Sequence, residues 1–369
     1  MALSIGLPAM AQTQSAYVKP HTSWGAPDLQ GFWTNASITH MTRPPGITSL
    51  VITAEQAKQL EAGDFNNRRL AADQKPTDQS VGAPEVGKLP ANGNYNAFWW
   101  DPGSKVAQIN GEYRSSWIVE PADGHIPYKA RPQRPALARA STPARSAAPK
   151  PAKTKPAASA NNPKPFVEPG PSYAPVRVRD LDAAAKSYEG PEARSLGERC
   201  LIGFGGTGGP VLNNVLYNNM YQIVQSPGYA LILTEMVHDA RIIPITHDRT
   251  RPDVIKPWLG DSIGWYEGDT LVVETRNVNP EQKGYISARG KLTERFTRID
   301  DHVILYQFEV DDPDLYTSVW RGEMPLTTGT GGLYEYACHE GNYGLRDILQ
   351  GARHKEAIGE PLELTADSE

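Results

Sequence analysis

The stretch NNMYQIVQSPGYALILTEMVHDARIIP, Asn218 to Pro244, decides how the chain is built. Two runs rich in aliphatic, β-branched and aromatic residues flank Ser226-Pro227-Gly228, a turn signal, so the stretch reads as a β-hairpin. The second run then carries Glu235, His238, Asp239 and Arg241 close together. A buried strand excludes lone ions, because an unpaired buried charge costs several kcal/mol or is neutralised. These four groups therefore face water, pair with one another, or work.

If Tyr229 to Ile243 runs as one strand, alternation puts Leu231, Leu233, Glu235, Asp239 and Arg241 on one face. Ile232, Met236, His238 and Ile242 then share the other. A bulge at His238-Asp239 would bring both groups to one side.

The same hairpin grammar recurs along the chain. KVAQINGEYRSSWIVEP turns at Asn110-Gly111, SIGWY and DTLVVETRNV at Glu267-Gly268, and KLTERFTRI and HVILYQFEV at Asp300-Asp301. Such a meander buries its strands by closing into a barrel or stacking two sheets, and closure removes sticky edges. The expected fold class is all-β: an antiparallel meander forming a barrel-like or sandwich domain with few short helices. One helix is expected at Thr53 to Glu61, with Thr53 as N-cap and Gln56 completing a capping box, and another from Tyr343 to Gln350.

Composition agrees with a folded, strand-rich chain. Its 369 residues are 39% hydrophobic and 21% charged, with 33 Gly, 32 Pro, 8 Trp and 16 Tyr. That is enough for a substantial core, and Gly, Pro and aromatics favour turns and pleated surfaces over helices.

From Lys129 to Pro165 the chain becomes a Pro, Ala, Lys and Arg tract without acidic residues. It has too few large apolar groups to offset its ordering entropy. It divides the chain into a signal-peptide remnant at 1–11, an N-terminal segment at 12–128 that lends strands to the main domain, an insertion at 129–180, and the main β domain at 181–369. Removing nine cations of this tract from the overall charge of −5 leaves the rest strongly acidic, which argues against a nucleic-acid surface. The basic tract reads as a solvated spacer, or as a contact for anionic cell-envelope polymers.

MALSIGLPAMAQTQ at the start reads as the end of a secretory signal, with Ala9-Met10-Ala11 as the small-residue cleavage pattern. No other run has the ~20 apolar residues of a membrane-spanning helix. A periplasmic or secreted bacterial location is the expectation. Two cysteines, Cys200 and Cys338, fit an oxidising compartment. A disulfide between them would close a loop of roughly 140 positions, worth roughly 5 kcal/mol in the chain-entropy model. The rival, a Cys338 nucleophile beside His339, is weaker because neighbours on a strand point to opposite faces.

Several blocks together carry a resemblance: APDLQGFWT (26–34), SLGERC (195–200), YNNMYQIVQ, HDARIIP, WLGDSIGWYEGDTLVVET (258–275), LTERFTRIDD and YEYACHEGNY (334–343). They resemble the recurring blocks of a large, uncharacterised family of exported bacterial proteins. The resemblance spans most of the chain outside the basic insertion and implies export, with no activity attached to it.

For chemistry, Glu235, Asp239 and Arg241 on one strand face would set two carboxylates beside a guanidinium. Crowding raises one carboxylate's pKa while the cation lowers the other's, which prepares a proton donor and an acceptor. With His238, and with His339 as a base partnered by Glu340, these are the candidate catalytic residues; a structural ion pair with a satisfied histidine is the competing reading. Trp258, Asp261, Trp265 and Tyr266, joined by Trp99 and Trp100, are candidate substrate-binding residues, although aromatic clusters are more often core. Glu294, Arg295 and Arg298 are best explained by cross-strand pairing. His238, Asp239, His247 and His339 lack a compact metal-binding spacing, so neither metal nor other cofactor is assigned, a divalent ion being the minor alternative. GFGGTG (203–208) matches a dinucleotide fingerprint literally, but Gly209-Pro210 follows where a helix should start.

The expectation is thus an exported enzyme doing cofactor-independent acid/base chemistry, as a lyase, isomerase or hydrolase. Its substrate would be a small organic molecule such as a carbohydrate derivative, a phenolic or a terpenoid. The alternative is a non-catalytic periplasmic carrier of such a molecule, built on the same barrel.

Overall fold

The computed structural model describes residues 17–73, 102–129, 188, 190–203, 209, 211–282 and 284–360. The signal-like start, most of the basic insertion, Trp99, Trp100 and Phe204 to Gly208 lie outside the described residues.

Nine antiparallel strands form one nearly closed, barrel-like sheet. In chain order, the N-terminal half gives β1 (Gly31–Thr34), β2 (Val51–Ile52), β3 (Gln108–Ile109), β4 (Glu112–Arg114) and β5 (Ile118–Glu120). The second half gives β6 (Met220–Ser226), β7 (Tyr229–Thr234), β8 (Ala240–Pro244), β9 (Asp261–Glu267), β10 (Thr270–Arg276), β11 (Lys291–Asp300), β12 (Val303–Asp311) and β13 (Trp320–Thr328). The sheet order is β8-β7-β6-β1-β13-β12-β11-β10-β9, with β5 attached to β13, while β2, β4 and β3 form a small separate sheet. Each expected hairpin is present, and β1 from the N-terminal segment completes the circuit by pairing with both β6 and β13.

The circuit closes between β8 and β9. There a single parallel bridge joins Ile245 to Gly264, with the Thr246 N–H donating to the Gly264 carbonyl at 2.7 Å. Beyond that rung a side chain takes over, as described below.

Strand alternation fills the interior with apolar side chains. Ile304, Tyr306, Phe308 and Val310 of β12 face Trp320, Met324 and Leu326 of β13, all buried. Phe296, Tyr306, Phe308 and Trp320 form a run of tilted and edge-on rings with centroids 5.0 to 5.7 Å apart, the preferred geometry of aromatic pairs. Each such buried side chain contributes about 1.5–3 kcal/mol relative to exposure. The barrel is therefore a packed core and not a channel.

Three helices lie outside the sheet among the described residues. In α1 (Ala54–Gly63) the capping box is complete: the Gln56 N–H donates to Thr53 Oγ1, and the Thr53 N–H donates to the Gln56 side chain. Helix α2 (Phe65–Asp73) follows directly and has no counterpart in the sequence reading. Helix α3 (Tyr343–Ile358) runs past the expected Gln350 to a left-handed Gly359 cap. No described helix is long and apolar enough to cross a membrane.

Cys200 and Cys338 are disulfide-bonded. Asn342, the N-cap of α3, sends its side-chain amide to the Glu198 carbonyl at 2.7 Å, tying the helix start to the same segment.

The single-strand expectation for Tyr229 to Ile243 is corrected. β7 stops at Thr234, and Glu235 to Asp239 form a turn in which Val237 has φ +58°. The Thr234 N–H closes the turn on the Asp239 carbonyl at 2.8 Å. This reverses direction and resets parity, so Arg241 pairs with Ile232 and shares its inward face, while Leu231 and Leu233 point away.

Candidate functional site

Arg241 enters the barrel with Ile243 on the inner face of β8 and meets Glu294 from β11 across the interior. Their side chains are 1% and 0% exposed. The pair is bidentate: Arg241 Nη1 donates to Glu294 Oε1 at 2.9 Å, and Nη2 donates to Oε2. Arg241 Nη2 also donates to Thr275 Oγ1 at 3.0 Å, with Ser262 Oγ 2.7 Å from that hydroxyl. This reaches from β8 to β9 and β10, so a guanidinium fastens the barrel where backbone pairing stops. Tyr306 Oη donates to Glu294 Oε1 at 2.9 Å and accepts from the Leu212 N–H at 3.1 Å. Gly209, at φ +91°, closes on the cluster; a Cβ there would come within 3.0 Å of Arg241 Nη1.

The electrostatics follow from this geometry. Burial disfavours the charged guanidinium, but Glu294 more than offsets that, so the Arg241 pKa is raised. Burial, reinforced by the Glu294 charge, pushes the Tyr306 phenol well above its ordinary range. The result is a dry, charge-matched ion pair with every Glu294 oxygen engaged, Arg241 Nε alone lacking a partner. It is well suited to holding strands together and poorly suited to exchanging protons with a ligand.

The other expected catalytic residues are separately employed. Glu235 is buried; its Oε1 accepts from the Tyr334 N–H at 3.2 Å and its Oε2 from the Met220 N–H at 3.4 Å. Asp239 Oδ2 accepts from the Gly203 N–H at 3.2 Å. The two carboxylates thus pin the chain segments that run into Cys338 and out of Cys200. His339 and Glu340 are exposed in the turn before α3, and the His238 side chain lies outside the described residues.

The expected aromatic wall is also divided. Trp265 and Tyr266 point to opposite faces of β9: Trp265 Nε1 donates to Glu267 and its ring meets His247 at 5.0 Å, whereas Tyr266 Oη accepts from the inward Gln225 amide at 2.8 Å. Asp261 is taken by Arg249 and Arg251, and Trp258 is half-buried in the loop before β9. Of the basic cross-strand group, Arg295 pairs with Glu267 on the outer face, and Arg298 lies over the Trp33 ring at 5.4 Å. Among the described residues no cluster of three or more His, Cys, Asp or Glu is placed to hold a metal.

A cavity of about 510 Å³ lies elsewhere, above the end of the barrel that Leu212 covers. Its walls come from five distant segments: 37–45, 64–66, 102, 125–128 and 213–215, with Tyr285 added. The stretch Val211 to Val215 separates it from the dry centre, since Leu212 seals onto Tyr306 while Asn213, Asn214 and Val215 face the cleft. Asn214 is fixed: its Oδ1 accepts from Trp117 Nε1 at 3.1 Å and its amide donates to the Ser37 carbonyl at 2.6 Å.

Much of the lining is apolar, through Ile38, Met41, Pro45, Pro102, Ile126 and Val215. Two of its amides lack partners among the described residues. Asn66 Oδ1 is buried without a hydrogen-bond partner, and the Asn213 side chain makes no hydrogen bond among the described residues. His125 Nδ1 lies 2.8 Å from the Asp123 carbonyl. A carbonyl only accepts, so Nδ1 carries the proton and a neutral ring keeps its lone pair on Nε2.

Arg43 also lines the cleft and is 2% exposed. Its Nη1 donates to the Thr48 and Ala122 carbonyls at 2.7 and 2.8 Å, while Nε has no partner. Gly124, at φ +73°, packs its backbone onto the guanidinium, where a Cβ would come within 2.8 Å of Nε. The sequence reading contained none of these cleft residues. Comparison with protein-family models, with curated proteins and with solved structures finds no match for this chain.

Proposed function

We propose that this chain binds a small organic molecule in the cleft over the end of its barrel, and that the barrel interior serves to hold that cleft in shape. The observation that carries the reading is a largely apolar cavity of about 510 Å³ whose Asn66 and Asn213 amides make no hydrogen bond to the described protein. Pockets of this size and character accommodate small ligands, and buried polar groups without partners are rare unless something else satisfies them. The apolar walls favour a phenolic or terpenoid body over a carbohydrate. Action outside the cytoplasm accords with the Cys200–Cys338 disulfide.

The test is native mass spectrometry of the protein as purified, followed by calorimetry with the compounds released. Val215→Trp, which fills the cleft from its wall, is expected to abolish binding with the thermal midpoint little changed. Undiminished binding in that variant would remove the cleft from consideration.

A second reading, proton-transfer catalysis in the same cleft, is favoured by the fixed His125 tautomer. His125→Gln would then lower turnover of the bound compound about 100-fold or more while leaving its affinity within a few-fold. Equal turnover by the variant leaves a carrier.

A further inference from the structure

We infer that the molecule held in the cleft is an organic monocarboxylate, bound through Arg43; the inference rests on the cleft being a ligand site. Three arginines are buried in the described structure: Arg43, Arg114 and Arg241. Arg241 is matched by Glu294, and Arg114 by Glu112 at 2.6 Å and Glu323 at 3.1 Å. Arg43 has no carboxylate within ion-pair distance among the described residues. Two neutral carbonyls orient it without cancelling its charge.

A guanidinium offers five N–H donors in a planar fork. Arg43 uses Nη1 on the two carbonyls, Gly124 closes over Nε, and Nη2 makes no hydrogen bond to the described residues. A buried cation without a counter-charge is costly, and a ligand carboxylate would supply both the charge and the missing acceptors. Asp64 also lines the cleft but does not pair with Arg43; its Oδ1 instead accepts from the Asn67 N–H at 2.8 Å, at the start of α2. With apolar walls around one cation, the fitting chemistry is an apolar or aromatic body bearing a single carboxylate. Asn66 and Asn213 offer partners for a hydroxyl or carbonyl on that body.

The experiment compares benzoate, cinnamate and 2-naphthoate with their methyl esters, by calorimetry and ligand-observed NMR on the full chain. At least one acid is expected to bind at least about tenfold tighter than its ester, the scale of one hydrogen bond to a charged group. That preference should shrink in Arg43→Lys, which keeps the charge but loses the fork. Esters that bind as well as their acids overturn the carboxylate inference while leaving the cleft as a neutral-ligand site. Failure of all six compounds at millimolar concentration also overturns it. The cleft itself falls only if compounds that do bind are indifferent to Val215→Trp. The acid-to-ester ratio is measured on the unaltered protein, so poor folding of an Arg43 variant cannot hide the answer. A ratio unchanged in a folded Arg43→Met variant assigns the guanidinium to architecture alone.

Discussion

Arg241 and Arg43 are buried to the same degree, 3% and 2% exposed, yet they sit in opposite kinds of surroundings. Around Arg241 the carboxylate, both hydroxyls and the phenol are mutually satisfied, and Leu212 and Gly209 seal them from above. Around Arg43 the acceptors are neutral carbonyls, and neighbouring amides across the cleft have no partner. A guanidinium whose charge is matched by a carboxylate does its work inside the protein; one whose charge is unmatched awaits something from outside. The most charged motif of the sequence falls on the first side of that line.

The sharpest way to break this contrast is to remove one charge from each region. Glu294→Gln leaves Arg241 charged, buried and unpaired, and should destabilise the fold by about 3–5 kcal/mol in urea unfolding. Replacing Arg241 and Glu294 together by Met and Leu strands no charge and should recover most of the loss. Arg43→Met strands no carboxylate either, and forfeits two hydrogen bonds to neutral carbonyls, a net loss of about 1–3 kcal/mol in all. If Glu294→Gln costs less than Arg43→Met, the assignment of architecture to one arginine and ligand contact to the other is wrong.

The disulfide sharpens the comparison by touching one region and not the other. Glu235 and Asp239 pin the segments that Cys200 and Cys338 join, and no residue lining the cleft belongs to 190–203 or 334–342. The double substitution of Cys200 and Cys338 by Ser should cost about 2–5 kcal/mol. Ligand affinity of the remaining folded protein should be unchanged. A parallel loss of affinity would mean that the two ends of the molecule are coupled.

Alkali should attack the dry side. Burial raises the pKa of Tyr221, Tyr306 and Tyr316 above the usual phenol value. The unfolded chain therefore releases these protons at lower pH than the folded one. Their contribution is fully present below the unfolded value near pH 10 and is lost as pH rises above it toward the folded values. Absorbance titration should show exposed tyrosines ionising first and these three only with unfolding, and Tyr306→Phe should flatten the alkaline fall in stability. Smooth ionisation of all 16 tyrosines below the unfolding transition would contradict their burial.

What the sequence disclosed follows the same division. Hairpins were legible because turn dipeptides and strand patterns are local, and the α1 capping box was legible from Thr53 and Gln56 alone. The parity of Arg241 was hidden by a turn that uses Val237 at positive φ, where glycine or asparagine would have given warning. Its partner was nearer to hand: Glu294 alternates in register with Leu292 and Phe296, so an inward carboxylate on β11 required an inward cation. Strands β1 and β13 escaped notice because their pairing spans nearly the whole chain. The cleft left no signal at all. Five segments meet there through tertiary packing, and no spacing rule connects His40 with Asn66, His125 and Asn213.

The smallest expected effect is the most discriminating. Asn66 Oδ1 is buried without a partner, so in the free protein the amide bears a desolvation cost and returns no hydrogen bond. Removing it by Asn66→Ala should change stability by no more than about 0.5 kcal/mol in either direction. By contrast, an amide inside the barrel such as Gln225, which holds the Leu29 N–H, the Pro27 carbonyl and Tyr266, should cost about 1–3 kcal/mol when replaced by Ala. With ligand bound the order should invert: Asn66→Ala weakens binding about five- to tenfold, the worth of one hydrogen bond, while Gln225→Ala leaves the affinity of the folded fraction alone. Thermal unfolding with and without ligand separates the two, because a ligand stabilises only in proportion to its affinity for the native state. An Asn66→Ala protein that is markedly less stable when free would show that its amide already has a partner, and Asn66 would no longer argue for a ligand in the cleft.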